Sequence, residues 1–209
     1  AVTLSRAQLT VGALYLNQTN PADWSLESSC ILPGIYAGKV RGGLTIDALS
    51  GAAQPFPVRG NGTDAPVQAG EVWLSEGDVN DDSSNARVLE VEGIATLGAD
   101  SWPFKAAFTI GKNRQKPPRD AALPGSSPIC KQRIVSPVPA DLQLQEGGTL
   151  RLVVDPRGWF TSVEFSEFKM GSGMQFEFID DSTTAGQPDL ALFNGMRAVK
   201  GPYAFQWSP

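Results

Sequence analysis

Residues 148–160 read GTLRLVVDPRGWF, residues 161–168 TSVEFSEF and residues 174–179 MQFEFI. Leu150, Leu152 and Val154 fall on one side of an extended segment, with Arg151 and Asp155 on the other. Asp155-Pro156-Arg157-Gly158 then supplies a turn. Val163 and Phe165 oppose Glu164 and Ser166, and Met174, Phe176 and Phe178 oppose Gln175 and Glu177. Period two is what a strand with one wet and one dry face requires. Three such segments separated by turns predict an antiparallel meander, whose apolar side must be buried against a second sheet made by the rest of the chain.

The same pattern recurs on either side. Residues 4–17 predict a long first strand, with Leu9, Val11, Ala13 and Tyr15 on one face and Leu14 and Leu16 opposite, so that its end is covered on both sides or changes sheet. Residues 35–49 predict a strand bent or bulged at Gly42-Gly43. The run 86–98 alternates through Leu89, Val91, Gly93, Ala95 and Leu97, and 103–110 through Phe104, Ala106, Phe108 and Ile110, which predicts a hairpin. Residues 71–75, 131–135, 140–145 and 189–193 are short strand candidates, and Tyr203, Phe205 and Trp207 share a face of a terminal strand. The fold expected is therefore all-β: a single antiparallel β-sandwich over 1–209, Greek-key or jelly-roll-like, of about ten strands. The connection 51–70 is the one credible boundary, and a division there would leave too few apolar anchors in the first part.

Composition agrees. Apolar residues make up 41% of the 209, enough for a core, while 22 glycines and 16 prolines disfavour long helices. The net charge of -5 argues against duplex nucleic acid as a partner. No stretch reaches the roughly 18 apolar residues of a membrane-spanning helix. Charge is uneven: an acidic block runs from Asp64 to Asp100, and a basic block from Lys112 to Arg133 includes Arg114 and Arg119. Two cysteines, Cys30 and Cys130, lie in turn-rich ground. One disulfide between them would close a loop of about one hundred residues and would place the protein in an oxidising compartment. The abrupt start at AVTLSRAQLTV fits a processed N-terminus. Asn17-Gln18-Thr19 and Asn61-Gly62-Thr63 match the glycosylation acceptor pattern, at a rate chance alone supplies.

The chain has no histidine. That removes Ser-His-Asp and Cys-His catalysis and histidine-ligated metals, and leaves carboxylates for any enzyme chemistry. Glu90 with Glu92 and Glu164 with Glu177 are strand-compatible pairs of the kind a glycoside hydrolase needs, although acids alternating with core residues are ordinarily wet strand faces. Asp78, Asn80, Asp82 and Ser84 place oxygen ligands at alternate positions of a turn, where they could converge on a structural Ca²⁺. The match is incomplete, because Ser83 replaces the glycine of a helix-flanked calcium loop and Leu89 its last carboxylate. Such turns also form simply because Asp, Asn and Ser cap local backbone. Trp24, Trp102 and Trp159 sit in or beside turns, where rings can stack on sugars or peptides, and Arg114 and Arg119 could hold an anionic group.

These features lead to an extracytoplasmic module (secreted, periplasmic or cell-surface) that binds or supports without catalysis. Its expected partner is a saccharide or a protein surface, met through the loops 17–29, 51–64 and 111–128. No cofactor is expected beyond the optional Ca²⁺. Alternatives are a calcium-stabilised adhesion or matrix component and a carboxylate-dependent glycoside hydrolase.

Overall fold

The computed structural model describes residues 1–20, 35–114, 129–168 and 175–209. Its organiser is β1 (Val2–Asn17). From Ala13 to Asn17 every residue of β1 is buried, which is the strand covered on both faces that the apolar doubling at Leu14 and Leu16 foretells. Along one edge runs β2 (Tyr36–Asp47), antiparallel, with β3 (Asn61–Gly62) outside it. The Gly42-Gly43 bulge is present: Val11 pairs with Leu44 and Ala13 with Arg41, so two residues of β2 face one of β1. Both glycines have positive φ, 150° and 61°, a conformation that costs other residues dearly.

The other edge of β1 is shared. Its first half, Val2–Leu9, pairs with β5 (Arg87–Leu97), and its second half, Ala13–Asn17, pairs with β4 (Pro66–Trp73). The sheet therefore forks at Thr10–Gly12. One limb continues through β6 (Asp100–Thr109), the hairpin partner of β5, to β9 (Phe176–Glu177). The other continues from β4 to β7 (Ile134–Gln143), which follows the short helix α1 (Ile129–Arg133). A separate two-stranded sheet joins β8 (Thr149–Val154) to β10 (Tyr203–Ser208) and packs on the β4–β7 limb, with Phe205 against Gly70. The helix α2 (Gln187–Met196) lies on the 3-10 segment Pro156–Phe160.

The expected single antiparallel β-sandwich is thus corrected. The strands form an eight-stranded and a two-stranded sheet, β9 runs parallel to β6, and helix is present. Of the predicted meander only the first arm is a full strand, and the third is reduced to the two-residue β9, parallel to β6. Leu150, Leu152 and Val154 do share a face, but β8 pairs with the distant β10. Beyond it Asp155 accepts from Arg157 N at 3.0 Å and starts the 3-10 segment, and Phe165–Glu167 is a second 3-10 turn. The alternating rings of this region instead feed a cluster. Phe160, Phe165, Phe168, Phe176 and Phe178 pack with Phe104 and Phe108 of β6 and with Phe193 of α2. Rings at centroid distances of 5–6 Å can bury a loop as well as a strand would.

The 189–193 strand candidate is the middle of α2. Pro188 lies in the first turn, and the Asp189 carboxylate accepts from Gly186 N at 2.7 Å. Asp189, Leu192, Phe193 and Met196 are buried at helical spacing. The candidates 131–135 and 140–145 merge into α1 followed by β7. As for the cysteines, Cys130 is fully buried with Val79 and Ile134 beneath Trp73 and is not a free thiol. Cys30 lies outside the described residues, so no Cys30–Cys130 bond is described.

Candidate functional site

The fork creates a cleft. Because β4 ends at Trp73 opposite Ala13 and β5 begins near Leu9, the connection between them must cross the gap at the middle of β1. It passes so close that a Cβ on Gly12 would lie 2.4 Å from the Ser75 carbonyl oxygen, which only glycine avoids. The end of β6 and the start of β7 meet at the same place, since Arg87 pairs with Thr109 and Trp73 with Ile134. Four strand ends thus surround a cleft of about 280 Å³. Ser75, Glu76, Asp78, Asp81 and Ser84 line it from the connection, Val88 and Ile110 form an apolar wall, and Arg133 completes the lining.

Arg133 is 3% exposed. Its Nε donates to Ile110 O at 2.5 Å and its Nη1 to Asp78 O and Val79 O at 3.2 and 3.1 Å, tying α1 to both the acidic connection and the end of β6. Burial pulls its pKa down, while Asp81, Asp78 and Asp82 oppose that pull. Arg133, one base of the basic block, therefore meets the acidic block here.

The calcium reading of this turn is overturned. The oxygens meant for a cation serve the turn itself. Asp78 Oδ1 accepts from Asn80 N at 2.9 Å and from Asn80 Nδ2 at 3.3 Å, and Ser84 Oγ accepts from Ala86 N at 3.3 Å. The intervening Asp81 Oδ1 accepts from Ser83 N and Ser83 Oγ at 2.9 and 2.6 Å, the latter chiefly holding the carboxyl below its usual range. Asp82 has interactions of its own. No group of three or more acidic, cysteine or histidine side chains disposed to hold a metal occurs among the described residues. The backbone-capping role of Asp and Asn accounts for this stretch.

The remaining candidates scatter. Trp24 and Arg119 lie outside the described residues. Trp102 lies in β6 opposite Ala95 near the hairpin end, half-buried against the core. Trp159 is wholly buried in the 3-10 segment. Arg114 is buried too: Nη2 and Nε donate to Asp180 Oδ1 at 3.0 and 3.3 Å, and the guanidinium stacks on Phe193 at 4.0 Å. Arg6 is ion-paired with Glu90 and lies 3.9 Å from Glu92, while Lys105 holds Glu177 at 3.2 Å. Glu164 precedes the second 3-10 turn. Asn17 of the first glycosylation tripeptide is completely buried.

No family model, curated protein or solved structure matches the chain.

One group of chemical interest is absent from the sequence-based candidates. Glu71 is 1% exposed, with Oε1 accepting from Asn17 Nδ2 at 2.9 Å and Oε2 from Trp73 Nε1 at 3.0 Å. Tyr15 stacks on Trp73 with centroids 4.5 Å apart and touches Tyr36 at 5.1 Å. Burial raises the Glu71 pKa, opposed by hydrogen bonds from Trp73, Asn17 and Tyr36. A period-two reading of 67–73 puts Glu71 in line with Val67, Ala69 and Trp73, and that was the available signal. What the fold establishes is a β-sheet-rich, largely non-helical domain consistent with a non-catalytic structural or binding module. No helix among the described residues is long and apolar enough to cross a membrane.

Proposed function

We propose that the chain is a non-catalytic binding module and that its seat is the cleft at the fork, occupied by one sugar unit of a saccharide. The observation that carries this reading is the composition of that cleft. Ser75, Ser84, Asp78, Asp81 and Arg133 line it together with the apolar Val88 and Ile110, and the carboxylate and hydroxyl oxygens keep acceptor capacity beyond the bonds their turn uses. A pyranose ring has the matching character: hydroxyls around its rim that both donate and accept, and a C–H face that seeks apolar contact. At about 280 Å³ the cleft is at the small end of ligand pockets, which run roughly 300–1,000 Å³, so one ring rather than an extended chain is seated. Trp102 keeps part of its ring open but lies at the opposite end of the β5–β6 hairpin from the cleft, so it has no part in this seat. An extracytoplasmic location, where free saccharide is met, belongs to the same proposal.

The test is an NMR titration of the full chain with a panel of neutral mono- and disaccharides. Saturable shifts should map to the amides of 75–88, Ile110 and Arg133, and Asp81→Asn, which keeps one oxygen for the Ser83 turn, should weaken them. Shifts confined to other surfaces, or none for any sugar, would remove the reading.

A further inference from the structure

A second cleft, of about 220 Å³, is lined by Lys131 and Gln132 of α1, Ile134 and Ser136 of β7, and Arg197 just beyond α2. Its chemistry is opposite to that of the first. Every nitrogen it offers donates, two of its five residues are cationic, and no carboxylate lines it.

The decisive residue is Arg197. Its side chain is half-buried, and its guanidinium lies 5.1 Å from the centre of the Phe193 ring, the ring that also carries Arg114. Nη2 donates to the Lys131 carbonyl at 2.9 Å, and Nε is buried with no acceptor. No carboxylate pairs with Arg197 among the described residues, and the acids Asp180, the partner of Arg114, and Asp189 of α2 are already committed. Asp180 accepts from Arg114 and from the backbone and hydroxyl of Thr109, and Asp189 accepts from Ile179 N and Gly186 N. Burial, and then the charge of Arg114, depress the Arg197 pKa to about 10, which leaves the side chain cationic at neutral pH. A desolvated cation with an empty donor is costly unless something negative completes it. Lys131 and Ser136 have further interactions of their own, so the argument rests on Arg197.

We propose that this cleft is an oxyanion site, taking a phosphate or sulfate group that accepts from Arg197 with Lys131 and Gln132 beside it. Arginine suits that role because its planar fork matches the spacing of oxygens on such groups. The anion is either a free ion or a phosphoryl or sulfate group on a larger molecule, for which the rest of the cleft leaves room.

The experiment titrates the full chain at low ionic strength with inorganic phosphate, inorganic sulfate, glucose 6-phosphate, glucose 6-sulfate and, as control, sodium chloride. The readouts are amide shifts at 129–136 and 196–199, and the thermal midpoint. Saturable binding of phosphate and sulfate is expected, with a rise in midpoint that chloride does not reproduce. Two variants separate site from scaffold. Arg197→Met keeps the apolar stem over Phe193, and Gln132→Glu leaves Arg197 in place but sets a carboxylate beside it. Each should weaken binding by about tenfold or more, as loss of a charge-assisted pair implies. Tighter binding of the sugar esters than of the free ions assigns the group-bearing source, and equal binding assigns the free ion. Wild-type shifts no different from those in chloride, or undiminished binding in both variants, would overturn the proposal. Because neutral sugars are the probes for the fork cleft, failure of either site leaves the other standing.

Discussion

Arg133 and Arg197 are the same residue placed beside the same short helix, yet one is finished and the other is not. Arg133 finds three backbone carbonyls because the connection leaving β4 must fold over the fork, and its turn presents Asp78 O and Val79 O just where Ile110 O ends β6. Three aspartates nearby offset its burial. Arg197 follows a helix end, where a single carbonyl of α1 is offered and an aromatic ring takes the place of an acid. Arg114 stands between the two cases, with one carboxylate and the same ring. The chain's own geometry decides how completely a buried cation is served, and the shortfall is where a ligand gains most.

The largest effect should come from removing the acid that serves Arg114. Asp180→Ala takes the ion-pair partner from a guanidinium whose side chain is 1% exposed, leaving the weaker field of Asp181, and a stability loss of about 3–5 kcal/mol is expected in urea unfolding. A loss below about 1 kcal/mol would mean that the aromatic rings alone carry the charge and would erase the distinction from Arg197. Arg133→Met comes next. It strands the buried carbonyls of Ile110 and Val79 and the part-buried one of Asp78, for about 3 kcal/mol by the same measurement, and the amide signals of 78–84 should broaden or shift as the turn loosens. Phe193→Leu takes the shared ring from both Arg114 and Arg197 while keeping most of the volume. About 1–2 kcal/mol is expected, and if the oxyanion site is real, added phosphate should recover part of it.

The smallest effect tests the buried charge of opposite sign. Glu71 has its folded-state pKa raised above the ordinary 4.5, chiefly by burial. A raised acid favours the protonated form in the folded protein. Its contribution to stability is therefore full below the unfolded-state value and is lost as pH rises through the folded one. The thermal midpoint of wild type minus that of Glu71→Gln should fall as pH increases from about 4.5. A flat difference would mean that Asn17, Trp73 and Tyr36 fully offset desolvation.

Much of the frame was legible in the residues. β1 with two apolar faces and the β5–β6 hairpin follow from period two over long runs, where the signal accumulates, the bulge follows from the Gly42-Gly43 pair, and the short terminal strand also alternates. The failures are all in short runs. TSVEFSEF and MQFEFI alternate because their phenylalanines reach into a ring cluster on β6, and a few alternating residues cannot tell such a loop from a strand. DLALF is equally ambiguous by period, although Gly186-Gln187-Pro188-Asp189 before it carries helix-start chemistry. The site was less legible still. The turn 78–84 was visible as oxygen-rich, but nothing local says that those oxygens are spent on their own backbone. The cleft depends on four strand ends brought together by pairings far apart in sequence. Arg197 sits in a segment, MRAVK, with no pattern at all.

The shared edge of β1 bears on how this protein is made. During vectorial synthesis the 2–9 stretch can dock against β2 at only Gln8 and Leu9, and its main partner is absent until residues 89–95 have emerged. For all that time the nascent chain exposes a strand edge able to pair with a neighbouring chain.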